Sequence, residues 1–159
     1  MPDLVESNHT RIVLPEDVLE VIDNMRPADV REVLALGSDP EQAILNGIQV
    51  SRFCRSVVDS SGRAVAMFGM ASHSCRCGDE VGVPWLLGTP SLRSVRIGFL
   101  KESKFWVRQM HKFHPVLWNV VDARNDLHLT WLKWVGFDLT EPQALGRNGE
   151  LFRHCIKVI

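Results

Sequence analysis

Residues 115–139, PVLWNVVDARNDLHLTWLKWVGFDL, join an apolar run to a helical pattern through a polar break at residues 122–125. A strand that enters a helix through such a break is where α/β proteins tend to place ligand sites, because strand end and helix N-terminus present unpaired polar groups together. Asp122 and Arg124 either form a local ion pair at that rim or only solvate the break, and Asn125 is a good N-cap for a helix over 126–135. A second cluster of reactive types is HSCRCGDE, residues 73–80, with Cys75, Cys77, His73 and Asp79. Zinc sites usually show two well-spaced ligand pairs. Here one C-x-C stands alone, and Cys54 and Cys155 lie in apolar strand-like runs. The expectation is a hairpin loop with free thiols and no metal.

The elements that must position these residues follow from periodicity. A short strand over 11–14 leads to helical patterns over 15–25 and 28–36, broken at Pro27; Gly37 ends the second, and Asp39 and Pro40 open a further amphipathic helix with Ala43, Ile44 and Ile48. The period then changes. Strands over 53–58 and 63–71 flank the turn Asp59-Ser60-Ser61-Gly62, and a third strand covers 81–88, with Pro84 at a bulge or an unpaired position. A polar connection over 89–96 precedes a long helix, roughly 98–113, whose Phe99, Phe105, Trp106 and Met110 keep helical spacing. The strand and helix of 115–139 follow, then a connection over 140–149 and a last strand over 151–159. The order is β-αα-β-β-β-α-β-α-β, an α+β sandwich with a mostly antiparallel central sheet flanked by helices.

Composition bounds the function. The 159 residues are 45% hydrophobic and 23% charged, which fits a single globular domain over 1–159 with a polar N-terminal tail at 1–10. That tail is acidic and is no signal peptide, so a reducing compartment is the default. No apolar run approaches the ~20 residues of a membrane span. A net charge of −1 argues against a nucleic-acid partner, and the stripe Lys101, Lys104, Arg108, Lys112 reads as a solvated helix face. Oligomeric state is not legible.

A resemblance covers residues 11–159. It is carried by MRPADVREVLALG (25–37), DPEQAI (39–44), AMFGMA (66–71), PWLLGT (84–89), FLKESKFWV (99–107), VDARN (121–125) and WLKWVGF (131–137). With these motifs the chain resembles a phage protein family related to the T7 internal virion protein A, whose members share a GNAT (Gcn5-related N-acetyltransferase)-like core. The resemblance implies a V-shaped cleft between the crossover strand and the strand before it. It also implies acetyl-CoA as the possible cofactor, no metal, and acceptor binding near the first helices, where Glu16, Asp17 and Glu32 lie. The cofactor would meet Leu87, Gly88, Thr89, Arg93, Arg96, Gly98 and Asn125. GNAT enzymes usually hold the pyrophosphate on an Arg/Gln-x-x-Gly-x-Gly/Ala loop at a helix N-terminus. The corresponding stretch here, TPSLRSVRIGFLKES, has one glycine, Gly98, leaving Arg93 and Arg96 to supply charge.

The family's proton donor for the leaving thiolate is often a tyrosine on the helix after the crossover strand. Leu132 stands at that position, and the chain has no tyrosine. Of His128, Cys155, Ser103 and water, His128 lies one turn before Leu132 on the same face and is the natural stand-in acid. Two expectations follow. One is a phage protein with a degenerate acetyl-CoA site, acting in the virion or in the host cytoplasm as a binding module for virion or host proteins. The other is an active acetyl-CoA-dependent N-acetyltransferase acting on a small amine or a host protein.

Overall fold

The structure, a computed structural model, describes residues 9–159. Strand β1 (Thr10–Ile12) precedes three helices, α1 (Pro15–Asp23), α2 (Pro27–Ala35) and α3 (Pro40–Val50). Strands β2 (Ser51–Val58), β3 (Ala64–Ser74) and β4 (Glu80–Gly88) form an antiparallel meander with β1. A 3₁₀ turn (Pro90–Ser94) opens into α4 (Arg96–His111), followed by β5 (Val116–Asp122) and α5 (Asp126–Trp134). Two short strands, β6 (Asp138–Leu139) and β7 (Gln143–Ala144), and the long β8 (Leu151–Val158) complete the sheet, in the order β1-β2-β3-β4-β5-β8-β6.

The predicted order differs in two places. The helix read from Pro40 is present as α3, so three helices and not the two of that order stand between β1 and β2; Gly37 turns the chain at φ +83° and Asp39 caps α3 by accepting from the Gln42 amide at 2.9 Å. The connection after α5 folds back onto β8 as β6 and β7. Most of the expected N-terminal tail lies outside the described residues, but Thr10 is buried and pairs with Val57.

The loop expected to carry free thiols instead holds a disulfide between Cys75 and Cys77. Cys75 N donates to Asp79 O and Gly78 N to Cys75 O, which closes the hairpin and leaves the two Cα atoms 5.3 Å apart, within disulfide reach.

Two apolar layers sandwich the sheet. On one face Val21, Ile44, Met67 and Leu87 pack with α1–α3; on the other Phe68, Leu86, Phe99, Trp106 and Leu117 pack with α4 and α5. Neighbouring β4 residues thus serve opposite layers, Trp85 and Leu87 on one and Leu86 on the other. Close packing at Trp85 demands glycine beside it. A Cβ on Gly69 would stand 2.7 Å from the Phe53 carbonyl oxygen and 3.0 Å from the indole. Gly69→Ala is expected to cost about 1–3 kcal/mol in urea unfolding.

Candidate acyl-transfer site

Strands β4 and β5 run parallel but pair at only one position, Gly82 with Leu117, and then part. Pro84 sits where they diverge, in unbroken register with Met70 of β3, so it marks the missing ladder rather than a bulge. Asn119 bridges the gap below by donating to the Pro84 carbonyl at 2.7 Å. Above it a cavity of about 270 Å³ passes through the sheet. Its walls take Trp85 and Leu87 from the α1–α3 face, Leu86 and Leu132 from the other, and Glu32 and His128 beside the pass. A second cavity of about 250 Å³ lies between α4 and α5, lined by Arg93, Arg96, Leu100, Thr130 and Trp134 among others. The two cavities share Leu86, His128 and Trp131 in their walls.

A buried polar cluster stands beside that pass. Asp29 and Glu32 are spaced i, i+3 on α2 and so face the same way. Asp29 is fully buried and accepts from the Gly88 amide at 2.9 Å, from Asn125 Nδ2 at 3.0 Å and from Arg26 Nη1 at 3.0 Å. Glu32 accepts from Asn125 Nδ2 at 2.8 Å and from the Asp122 amide at 3.2 Å. His128 lies against both acids, with Nε2 3.4 Å from Asp29 and Nδ1 3.7 Å from Glu32.

Burial governs the protonation of this cluster. It pushes the Glu32 carboxyl up to about 7; the hydrogen bonds from Asn125 and the Asp122 amide oppose it, and nearby Asp29 and Asp122 reinforce it. Burial also pushes the His128 imidazole below its ordinary value, with Asp29 opposing and Arg26 adding to the shift. Glu32 is therefore poised near neutrality beside a neutral imidazole, a pair suited to taking up and passing on a proton. Burial pushes the Cys155 thiol, also in the wall of the cavity through the sheet, up to about 12, so it stays protonated.

The expected site residues divide into four groups. His128, Arg93, Arg96 and Leu87 line the two cavities. Gly88 and Thr89 are committed to structure: Gly88 N donates to Asp29, Gly88 O accepts from Arg26 N, and Thr89 N donates to Val65 O. Gly98 lines neither of these two cavities; with Arg93 and Arg96 it borders a third, of about 710 Å³, where a Cβ on it would run into the His9 ring. Asn125 is the N-cap residue of α5, yet its side chain makes no capping bond; it is buried and spent on Asp29 and Glu32.

Of the two alternatives for Asp122 and Arg124 the ion pair is the one formed, in bidentate geometry at 2.7 and 3.0 Å. Burial alone would raise the Asp122 carboxyl, but Arg124 outweighs it and holds the group below its usual range. Of the three acids on the first helices, Glu16 is exposed, and Asp17 pairs with Arg11 and caps the Leu14 amide. Only Glu32 reaches the cleft. Ser103 donates to the Leu100 carbonyl and lines neither cavity. Asp29 and Arg26 escaped sequence reasoning, although both sit in the MRPADVREVLALG motif.

Asp29, Glu32 and His128 also bring metal-ligating atoms within 4.8 Å of one another. Asp29 already accepts from three donors, one of them the Arg26 guanidinium, so a metal ion would compete with a cation in place. The geometry suits protons better. At Cys75 and Cys77 both sulfurs are consumed by the disulfide.

No family model matches the chain, and no curated protein sequence matches it. Solved structures do. One similar structure is a ribosomal-protein-alanine N-acetyltransferase from Brucella melitensis, at TM-score 0.69 and 14% identity, over 94% of this chain and 99% of that one. Another is a chain of the NatC complex bound to Gag peptide and CoA, at TM-score 0.68 and 12% identity, over 94% and 97%. A third is a GNAT-superfamily phosphinothricin acetyltransferase from Sinorhizobium meliloti in complex with AcCoA, at TM-score 0.67 and 12% identity, over 94% and 87%. Strand order, the parting of β4 from β5 and these matches together give the chain the GNAT acetyltransferase fold.

Proposed function

We propose that the protein is an acyl-CoA-dependent N-acyltransferase, with acetyl-CoA the first donor to test. The observation that carries this reading is the cavity running through the sheet where β4 and β5 part, with Glu32 and His128 beside the pass. Such a passage lets a donor enter from the α4–α5 side and an acceptor from the α1–α3 side, and holds their reacting ends together.

The residues fit the donor's chemistry. Arg93 and Arg96 stand at one end of the smaller cavity, beside the first turn of α4. The first helical bond there runs from Phe99 N to Val95 O, so the preceding amides have no partner within the helix. That end suits a diphosphate, with arginines in place of the glycine loop. The wall then turns apolar along Leu100 and Trp131, as a neutral arm requires. Acetyl-CoA, when bound, supplies the acyl group as an activated thioester.

The chain's own residues manage one proton. As the amine nitrogen bonds to the acyl carbon and the carbon–sulfur bond breaks, the nitrogen must lose a proton and the sulfur must gain one. Glu32 accepts it as general base, and His128, which lines both cavities, holds and delivers it toward the leaving sulfur. This gives His128 a relay role in place of the absent phenol.

A second reading has its own support. Leu132 at the tyrosine position and Arg96 in the phosphate loop are the substitutions expected of a degenerate site. On this reading the chain is what the resemblance of its motifs implies, a phage protein of the T7 internal virion protein A type that serves as a binding module in the virion or in the host cytoplasm. Calorimetric titration separates the two: the enzyme reading expects acetyl-CoA to bind with a Kd on the order of micromolar. No heat of binding at millimolar ligand would sink it and leave the binding module standing.

A further inference from the structure

We infer that the acceptor is a primary amine on a compact, apolar, otherwise uncharged body: an alkyl or aryl amine, or the α-amino group of a peptide that begins with an apolar residue. This rests on the acyl-transfer reading above. The α1–α3 side of the cavity through the sheet is walled by Val33 and Leu36 of α2, Ala43, Gly47 and Val50 of α3, and Trp85 of β4, with Asn46 of α3 the one polar side chain among them. Leu36 and Val50 are about half exposed and form its mouth.

Trp85 makes the floor. Its indole N–H is spent on Ser51 Oγ at 2.8 Å, and a Cβ on either Gly47 or Gly69 would stand 3.0 Å from the ring. The ring is held between two glycines and offers carbon to an occupant.

Charge narrows the class further. Among the residues lining that cavity Glu32 is the single carboxylate, and it is needed at the reacting nitrogen. A second ammonium group would be desolvated against Val, Leu and Trp with no second carboxylate to pair it, and only the neutral Asn46 amide as a polar neighbour. Arg147 stands just past the mouth: its amide donates to Ala35 O, and its side chain lies beside Gly37. That cation repels a polycationic acceptor. Size points the same way, since about 270 Å³ must also admit the donor's reacting end and falls below the ~300 Å³ at which drug-sized sites begin.

The test is acetylation by the full chain at saturating acetyl-CoA, followed by thiol release and product mass. Phenethylamine, isoamylamine and a peptide beginning with leucine are compared with spermidine and an aminoglycoside. The expected result is a kcat/KM about 100-fold higher for at least one apolar amine than for either polycation. The free amines and the peptide report separately which source supplies the amine. Leu36→Asp, at the exposed mouth, is expected to lower the phenethylamine-to-spermidine ratio about tenfold. It should also weaken phenethylamine binding seen by saturation-transfer NMR on the CoA-bound protein.

Acetyl-CoA binding with preferred acetylation of spermidine or the aminoglycoside overturns this inference and leaves the acyl-transfer reading intact. So does acetyl-CoA binding with no apolar amine acetylated, or a Leu36→Asp ratio that does not move. Absence of acetyl-CoA binding overturns both.

Discussion

Glu32→Gln is expected to lower kcat/KM for acetyl transfer by about 10²–10⁴-fold, the range that a positioned general base contributes. The residue lines the cavity that crosses the sheet, and its carboxyl is pushed up to about 7 by burial. A base with that value must be ionised to act, so wild-type kcat/KM should rise with pH through about 7 and level off above it. The glutamine variant should lose that inflection along with its rate. Stability moves in the opposite sense. The folded value lies above the ordinary 4.5, so the folded state binds the extra proton between about 4.5 and about 7. Folding is therefore most favoured below about 4.5 and loses a few kcal/mol as pH rises through about 7. Glutamine cannot ionise, and urea unfolding of the variant should show a flatter pH dependence over that window. A purely structural Glu32 would change the unfolding profile without removing an inflection from the rate. Rates that keep their inflection near 7 in the variant would remove Glu32 from the base role.

The fold was legible because its signals are local. Period-2 runs gave the meander and period-3.6 runs the helices, and Gly136, at φ +95°, ends α5 with Phe137 buried behind it as the sequence suggests. The site was legible only in part, because its acids act through contacts some 90 residues apart in sequence. Asn125 looked sufficient as a cap, and in isolation that explains an asparagine before a helix. Its amide is instead recruited by Asp29 and Glu32, 96 and 93 residues away, and no local pattern encodes that demand. Glu32 was one of three acids on the first helices, and sequence had no means to show that Asp17 would turn to Arg11 while Glu32 turned to the cleft. The disulfide escaped for a related reason: C-x-C spacing alone does not tell a tight turn that brings two sulfurs together from a loop that keeps them apart. His128 was reached by elimination, since the chain has no tyrosine; its two acidic neighbours supply the reason it can serve.

Removing Asp29 should be the most damaging single truncation in the cluster. Asp29→Ala is expected to cost about 3–5 kcal/mol in urea unfolding, the range for stripping one partner from a buried ion pair. Three donors depend on that carboxylate: the Gly88 amide at the end of β4, the Asn125 amide at the start of α5, and the Arg26 guanidinium, which is 14% exposed. Each would be left in a site that water barely reaches, and an unsatisfied buried donor costs about 1–3 kcal/mol by itself. Asp29→Asn should recover little, since one of its two side-chain atoms becomes a donor facing other donors. The surface offers an internal control. Glu20 and Arg63 also form a close pair, but Arg63 is 58% exposed, and Glu20→Gln should cost under about 1 kcal/mol. The carboxylate also ties α2 to the end of β4 and the start of α5, the elements that frame the gap through the sheet. Loss of stability in Asp29→Ala should therefore come with weaker acetyl-CoA binding at temperatures where the variant is still folded. A variant as stable as wild type would show that Arg26, Gly88 and Asn125 find other acceptors, and that the gap is held open by apolar packing alone.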